Sequence, residues 1–220
     1  MKKKLVIFDW GGVLQGQDSY EPTPLEQFLG IARDLGASVY SEEFRSCIEK
    51  FYQSKGPEPY FDTDKDSDID EYLSGIIEMA GLKVTLKSLA DAKEAYVKQT
   101  LLWATNYELV QYAHSLKDRG VAIGLLSNLL TLDKLKQDMD VNRAKFDYVW
   151  LSCDVKFAKP YFHIYEKVMA DLAEEDYDIL FIDDREENLE IPKELEWKTF
   201  HMRGSNVDCM RAIEDFLRSE

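Results

Sequence analysis

Four short apolar runs interrupt an otherwise mixed chain, and each ends in, or leads toward, polar groups able to do chemistry. Leu5–Phe8 runs into Asp9 and the paired glycines Gly11 and Gly12, and Val121–Leu126 runs into Ser127 and Asn128. Tyr148–Leu151 leads toward Lys159 and Pro160, and Ile179–Ile182 ends in Asp183 and Asp184. Runs this short, bounded by turn residues, predict strands buried on both faces of a parallel sheet. Parallel strands bring their carboxyl ends to one edge, where the ligands of open α/β sheets sit, so these distant groups are predicted to meet in one crevice. Each group also has an ordinary structural use: Asp and Ser-Asn cap helices, Lys-Pro marks a loop, and an acidic pair opens a helix. Four such uses falling by coincidence at four strand ends is the weaker explanation.

Between Leu14 and about Leu102 the strand signal gives way to apolar residues at helical spacing, in windows near Leu25–Leu35, Glu42–Tyr52, Ile69–Ala80 and Leu86–Leu101. Phe28, Ile31, Ala32 and Leu35 show the spacing, and Pro24, Ser41 and Thr85 mark helix starts. Further helices are predicted to begin near Asn106, Tyr161, Glu186 and Asn206. This pattern predicts a helical cap, residues 15–102, inserted into a catalytic core made of residues 1–14 and 103–220. The acidic stretch at residues 62–71 imitates half of a calcium loop, but Ser67 stands where the loop needs glycine and Leu73 where it needs glutamate. It reads as a solvated loop entering a helix capped by Ser67.

The chain has 220 residues and a formal charge of −15, enough length for one α/β domain with a modest insertion and the wrong sign for nucleic acid or an anionic membrane. An anionic substrate would need Lys159 and a divalent cation to make the crevice locally positive. Cys47, Cys153 and Cys209 are odd in number and widely spaced, which reads as reduced thiols in a cytoplasmic protein. Only four apolar residues follow Met1–Lys4 before Asp9, so no secretory or membrane-spanning segment is expected. His114, His163 and His201 lack the spacing of a zinc site or a triad and read as structural. Trp103, Trp150 and Trp197 read as core, with Trp10 close enough to Asp9 to wall the crevice.

The segments FDWGGVL, LLSN, SCDVKFAKP and FIDDREENLEIPKELEWKT, in that order, resemble the haloacid dehalogenase superfamily over nearly the whole chain. The order of Asp, Ser, Lys and acidic pair distinguishes it from receiver domains, which place the acidic pair early and the lysine late. The resemblance implies an α/β fold with a five-stranded parallel, Rossmann-like sheet flanked by helices, and a helical cap entering after the first strand. It implies a Mg²⁺-dependent phosphoric monoester hydrolase for a small phosphorylated metabolite, working as a monomer or weak dimer. Asp9 would be the nucleophile that becomes an aspartyl-phosphate. Lys159, Ser127, Asn128 and the backbone of Trp10 and Gly11 would hold the phosphoryl group, and Asp9, Asp183, Asp184 and the Gly11 carbonyl would hold Mg²⁺.

Phosphatases of this superfamily commonly carry a second aspartate two residues after the nucleophile, where it protonates the leaving alcohol. This chain has Gly11 there. Such an acid contributes roughly 10²–10⁴-fold in rate, so its absence points to a substrate with a good leaving group, to a substitute such as Asp18, or to a pseudophosphatase that only binds. A 2-haloacid dehalogenase is the other alternative, although the acidic pair and the Gly-Gly turn look more like the phosphatase branch. Pro192 and Glu196 occupy positions that are small residues in most relatives, which bears on local packing more than on chemistry.

Overall fold

Leu5, Val6, Ile7 and Phe8 are fully buried, because their strand has a paired neighbour on each side and cover on both faces. The computed structural model describes residues 2–15, 24–38, 42, 44–46, 50, 66–100, 105–129 and 145–219. In chain order the elements are β1 (Lys3–Phe8), α1 (Pro24–Asp34), α2 (Asp66–Met79), α3 (Leu86–Thr100), α4 (Tyr107–Lys117), β2 (Ala122–Ser127) and β3 (Tyr148–Leu151). They continue with the one-turn α5 (Ser152–Val155), α6 (Phe162–Asp171), β4 (Tyr177–Asp183), a 3-10 turn (Glu186–Leu189), α7 (Glu190–Glu194), β5 (Lys198–His201) and α8 (Asn206–Arg218).

The five strands form one parallel sheet in the order β3-β2-β1-β4-β5. The chain therefore winds outward from β1 in one direction and, after β3, crosses to the other side of β1. That reversal opens a crevice at the carboxyl ends of the strands beside β1. Phe8 is in register with Leu125 and with Ile182, which sets Asp9 level with the start of the acidic pair.

The period of two along β1 divides the core. Val6 and Phe8 pack on one side with Leu109, Val110 and Ala113 of α4 and with Cys209 and Ile213 of α8. Leu5 and Ile7 pack on the other with Ile164, Tyr165 and Val168 of α6. A separate apolar cluster joins α1, α2 and α3 through Ile31, Ile69, Leu73, Ile76, Ile77, Ala92 and Tyr96. Leu73, Ile76 and Ile77 have the three- and four-residue spacing of one helix face.

Three helix heads carry side-chain caps, at the predicted starts Asn106 and Thr85 and at Ser205, one residue before the predicted start Asn206. Asn106 accepts from the Leu109 N–H at the head of α4, Ser205 accepts from Asp208 N–H at the head of α8, and Thr85 and Ser88 bond each other reciprocally at the head of α3. The helix expected behind a Ser67 cap, from Asp68, begins two residues earlier at Asp66, so Ser67 lies within it. Residues 16–23, most of the 42–52 window, residues 62–65, Ser41, Cys47 and Trp103 lie outside the described residues.

Three features depart from the reading of the sequence. β5 and α5 were not visible as patterns, because β5 is an edge strand with no fully buried residue and α5 is a single turn. The helix expected from Glu186 starts as a 3-10 turn and becomes α7 only at Glu190. Pro192 explains the break: it has no N–H to offer the Asn188 carbonyl four residues back, and the Tyr165 hydroxyl donates to that carbonyl instead at 2.8 Å.

Candidate active site

Asp9 follows the last residue of β1, and its own N–H donates to the Ile182 carbonyl of β4 at 2.9 Å. Behind it the chain turns sharply, the Trp10 carbonyl accepting from the N–H groups of Leu14 at 2.9 Å and Gln15 at 2.8 Å. The Trp10 N–H donates to Asp9 Oδ1 at 2.6 Å. The Trp10 ring does not wall the crevice. It is 3% exposed, packs into the core and donates its indole N–H to Gln15 Oε1 at 2.9 Å, so only its backbone belongs to the site.

Lys159 is 1% exposed, and its ammonium has an acceptor for each of its three N–H bonds. These are Asp183 Oδ2 at 2.6 Å, Asp9 Oδ2 at 2.9 Å and the Leu126 carbonyl at 3.0 Å. Burial opposes the charge on Lys159, but the Asp183 and Asp9 carboxylates outweigh it and hold its pKa above the ordinary lysine value. The Asp9 carboxyl is held up at about 8: burial is the largest cause, Lys159 opposes it, and Asp183 and Asp184 add to it.

Asp183 ends β4 with no exposure. Its Oδ1 accepts from the Arg185 N–H and from Asn188 Nδ2, each at 2.9 Å. Asp184 is half-buried, and its carbonyl is bonded to His201 Nε2 at 2.8 Å, while Arg203 Nε donates to His201 Nδ1 at 3.2 Å. With Nδ1 accepting, Nε2 carries the proton and donates to Asp184. Asp9, Asp183 and Asp184 each present a carboxylate oxygen within 4.8 Å of the other two. Among the described residues no other group of three His, Cys, Asp or Glu side chains stands this close.

The donor set fits a hard divalent cation. It is made of oxygen, it is largely buried, and it sets three carboxyl groups around the single ammonium of Lys159, so a bound dication would draw Asp9 into its ionised form. Mg²⁺ satisfies both the charge and the ligand chemistry.

The remaining predicted residues are close by and differ in what they have free. Ser127 is buried at the end of β2, in register with Leu151. Gly11 is half-buried, and a Cβ built on it meets no atom within 4 Å. Asn128, predicted to hold phosphate, has both ends of its carboxamide bonded to the backbone of Lys159. Asp18 lies outside the described residues. His163 pairs with Glu166, and His114 packs edge-on against Phe146 at 5.7 Å.

A profile of haloacid dehalogenase-like hydrolases matches residues 3–195. The chain belongs to that family. This hydrolase shares its fold with a predicted HAD-like family hydrolase from Porphyromonas gingivalis, at 22% identity and a TM-score of 0.68 over 100% of both chains. It also resembles a HAD family enzyme from Bacteroides thetaiotaomicron solved in complex with magnesium and inorganic phosphate. That match has 22% identity and a TM-score of 0.64, covering 93% of this chain and 96% of the other. A HAD-superfamily hydrolase of subfamily IA from Geobacter sulfurreducens matches at 16% identity and a TM-score of 0.55, covering 90% and 86%. No curated protein sequence matches the chain. No helix among the described residues is long and apolar enough to cross a membrane.

Sequence reasoning missed several residues of this hydrolase that brace the acidic pair: Asn188, His201, Tyr165 and the Arg185 N–H. One signal was available: Asn188 follows Asp183 by five residues, about one turn past the strand end, whereas His201 had none, because β5, which sets it in register with Asp183, leaves no pattern in the sequence.

Proposed function

We propose that this hydrolase is a Mg²⁺-dependent phosphoric monoester hydrolase that acts on a small phosphorylated metabolite through an aspartyl-phosphate on Asp9. The observation that carries the reading is the buried cluster of Asp9, Asp183 and Asp184 with Lys159 threaded among them. The relative from Bacteroides thetaiotaomicron, solved with magnesium and inorganic phosphate, supports it. A dehalogenase attacks carbon and has no use for three converging carboxylates, which disfavours that alternative.

In this reading Asp9 Oδ attacks phosphorus, the ester P–O bond breaks, and the leaving oxygen departs with the electron pair. The leaving oxygen takes a proton from solvent; water then attacks the phosphorus of the aspartyl-phosphate, keeping one proton on the released phosphate and returning the other to solvent, and Asp9 is restored as a carboxylate. The Lys159 ammonium, the Ser127 hydroxyl and the N–H groups of the Trp10–Gly12 turn stabilise the charge on the equatorial oxygens. Asp183, Asp184, Asp9 and the Gly11 carbonyl hold the cation, which when bound offsets the excess carboxylate charge and polarises the phosphoryl group. The reading divides the chain into a cap, residues 15–102, and a core of residues 1–14 and 103–220, a division supported by the packing of α1, α2 and α3 in an apolar cluster of their own.

Phosphate release from p-nitrophenyl phosphate and from a panel of phosphorylated metabolites tests the proposal. Turnover with Mg²⁺, its loss on chelation, and a phosphoryl adduct mapped by mass spectrometry to the peptide holding Asp9 are the expected results. The empty space at Gly11 favours a second reading, a protein that binds phosphorylated ligands without turning them over. Tight binding of inorganic phosphate with no turnover of any substrate would establish that reading instead.

A further inference from the structure

Asn128 makes a pair of hydrogen bonds that phosphate binding does not account for. Its Nδ2 donates to the Lys159 carbonyl at 2.8 Å, and its Oδ1 accepts from the Lys159 N–H at 2.8 Å. The carboxamide thus pairs with Lys159 as a neighbouring peptide group would in a sheet. Lys159 lies in an irregular stretch between α5 and α6, where no strand partner exists to serve its backbone. At the other end of the same residue, the ammonium donates to the Leu126 carbonyl at 3.0 Å. Lys159 is therefore held at its backbone and at its charge by Leu126 and Asn128, the residues on either side of Ser127.

We infer that Asn128 is a positioning residue that clamps Lys159 to the carboxyl end of β2, so that its ammonium and the Ser127 hydroxyl face the phosphoryl group as one rigid unit. Only a carboxamide suits the position. Aspartate keeps the acceptor for the Lys159 N–H but turns a second oxygen toward the Lys159 carbonyl, serine offers one short group, and alanine offers none. The clamp is needed because the ammonium sits between two carboxylates with both of which it bonds, and a small shift of its backbone would draw it toward one and away from the other. Ser152 braces the next residue in the same manner, its Oγ accepting from the Leu129 N–H at 2.8 Å, so the end of β2 is itself anchored from α5.

The kinetic part of this inference rests on the phosphatase reading, and one of its two tests does not. In the first, protein at neutral pH is briefly acetylated with acetic anhydride and each lysine is quantified by peptide mass spectrometry. Lys159 is expected to be inert in the wild type and to label several times faster in Asn128→Ala and in Asn128→Asp, while the exposed Lys156 labels equally in all three. Unchanged labelling of Lys159 in the folded variants overturns the clamp whether or not the protein is a phosphatase. If the alanine variant does not fold, the near-isosteric Asn128→Asp decides the matter alone. In the second, Asn128→Ala is expected to lower kcat by roughly 10²-fold, the usual cost of a misplaced catalytic group. The same change in a Lys159→Ala background is expected to add nothing. An equal loss in both backgrounds would show that Asn128 touches the substrate directly and would overturn the inference.

Discussion

A Cβ built on Gly12 would stand 2.2 Å from Oδ2 of Asp184 and 2.3 Å from its Cγ. The bare glycine is therefore what admits this carboxylate to the cluster with Asp9 and Asp183. Gly12 also has a φ of 69°, a left-handed conformation that costs a residue with a side chain about 1 kcal/mol. Gly12→Ala is expected to push Asp184 out and weaken Mg²⁺ binding by roughly tenfold or more, the scale on which misplaced supports act. Titration calorimetry with Mg²⁺ checks this; an unchanged affinity would mean that Asp184 is not a ligand.

Asp9→Asn keeps the shape of the side chain but removes its nucleophilicity and its charge, and is expected to abolish Mg²⁺-dependent phosphate release with the fold intact. Lys159→Ala is expected to cut turnover by roughly 10²-fold and also to destabilise the protein by about 3 kcal/mol, because it leaves buried carboxylates without their cation. His114→Ala, which removes an edge contact with Phe146 on α4's side of the sheet and touches none of the clustered carboxylates or Lys159, is expected to leave turnover unchanged. Similar losses at Lys159 and His114 in steady-state assays would place the active site elsewhere.

Gly11 offers room for the acid it lacks, since its Cβ position is open to 4 Å and its backbone is not left-handed. Without that acid more charge develops on the leaving oxygen, so rates across a series of aryl phosphates are expected to rise steeply with leaving-group acidity. Gly11→Asp is expected to flatten the dependence and to favour phosphates of ordinary alcohols. A flat wild-type series with chemistry rate-limiting would point to a substitute acid, and Asp18→Asn then tests the candidate named from the sequence.

Glu214 on α8 ties that helix to α4. It accepts from Arg119 Nη1 at 2.5 Å and from the Tyr112 hydroxyl at 2.7 Å, and these two bonds hold its carboxyl down at about 2. A carboxyl with a lowered folded pKa binds fewer protons in the folded state than in the unfolded one. Its contribution to stability is therefore complete above the ordinary glutamate value of 4.5 and is lost as pH falls toward about 2. Melting curves of wild type and Glu214→Gln are expected to differ near neutral pH and to converge through that acid window. A gap that persists to the lowest pH would show that charge is not the source.

Glu196 stands where a glycine would fit. At the end of α7 the Trp197 N–H donates to the Pro192 carbonyl and the Glu196 N–H to the Lys193 carbonyl, with Glu196 at a φ of 62°. That is a Schellman ending, whose left-handed residue favours glycine. Gly36, Gly81 and Gly120 take the same backbone hand after α1, α2 and α4. Glu196→Gly is expected to stabilise the protein by about 1 kcal/mol, read as a higher melting temperature with unchanged turnover. A lower melting temperature would show that the exposed side chain supports the fold in some other way.

The apolar runs of β1, β2 and β4 are legible without a structure because burial on both faces keeps polar side chains out of their buried segments. β3 is an edge strand with Val149 exposed and is legible only because all four of its residues are apolar, and the groups that follow the runs are legible because parallel strands must end together. The same reasoning could not see β5, whose edge position lets polar and apolar residues mix, nor the break before α7, where the hydroxyl of Tyr165 on α6 takes over a carbonyl orphaned by Pro192. Sequence alone thus determined that Asp9, Ser127, Lys159, Asp183 and Asp184 lie at one edge of a sheet. Which groups remain free to meet a ligand was decided only by the tertiary structure. It turned the Trp10 ring into the core, spent the Asn128 carboxamide on the Lys159 backbone and brought His201 beneath Asp184. The physical reason is that a strand's pattern reports only the burial of its own residues, whereas a hydrogen bond between residues distant in the chain depends on where the fold brings both partners.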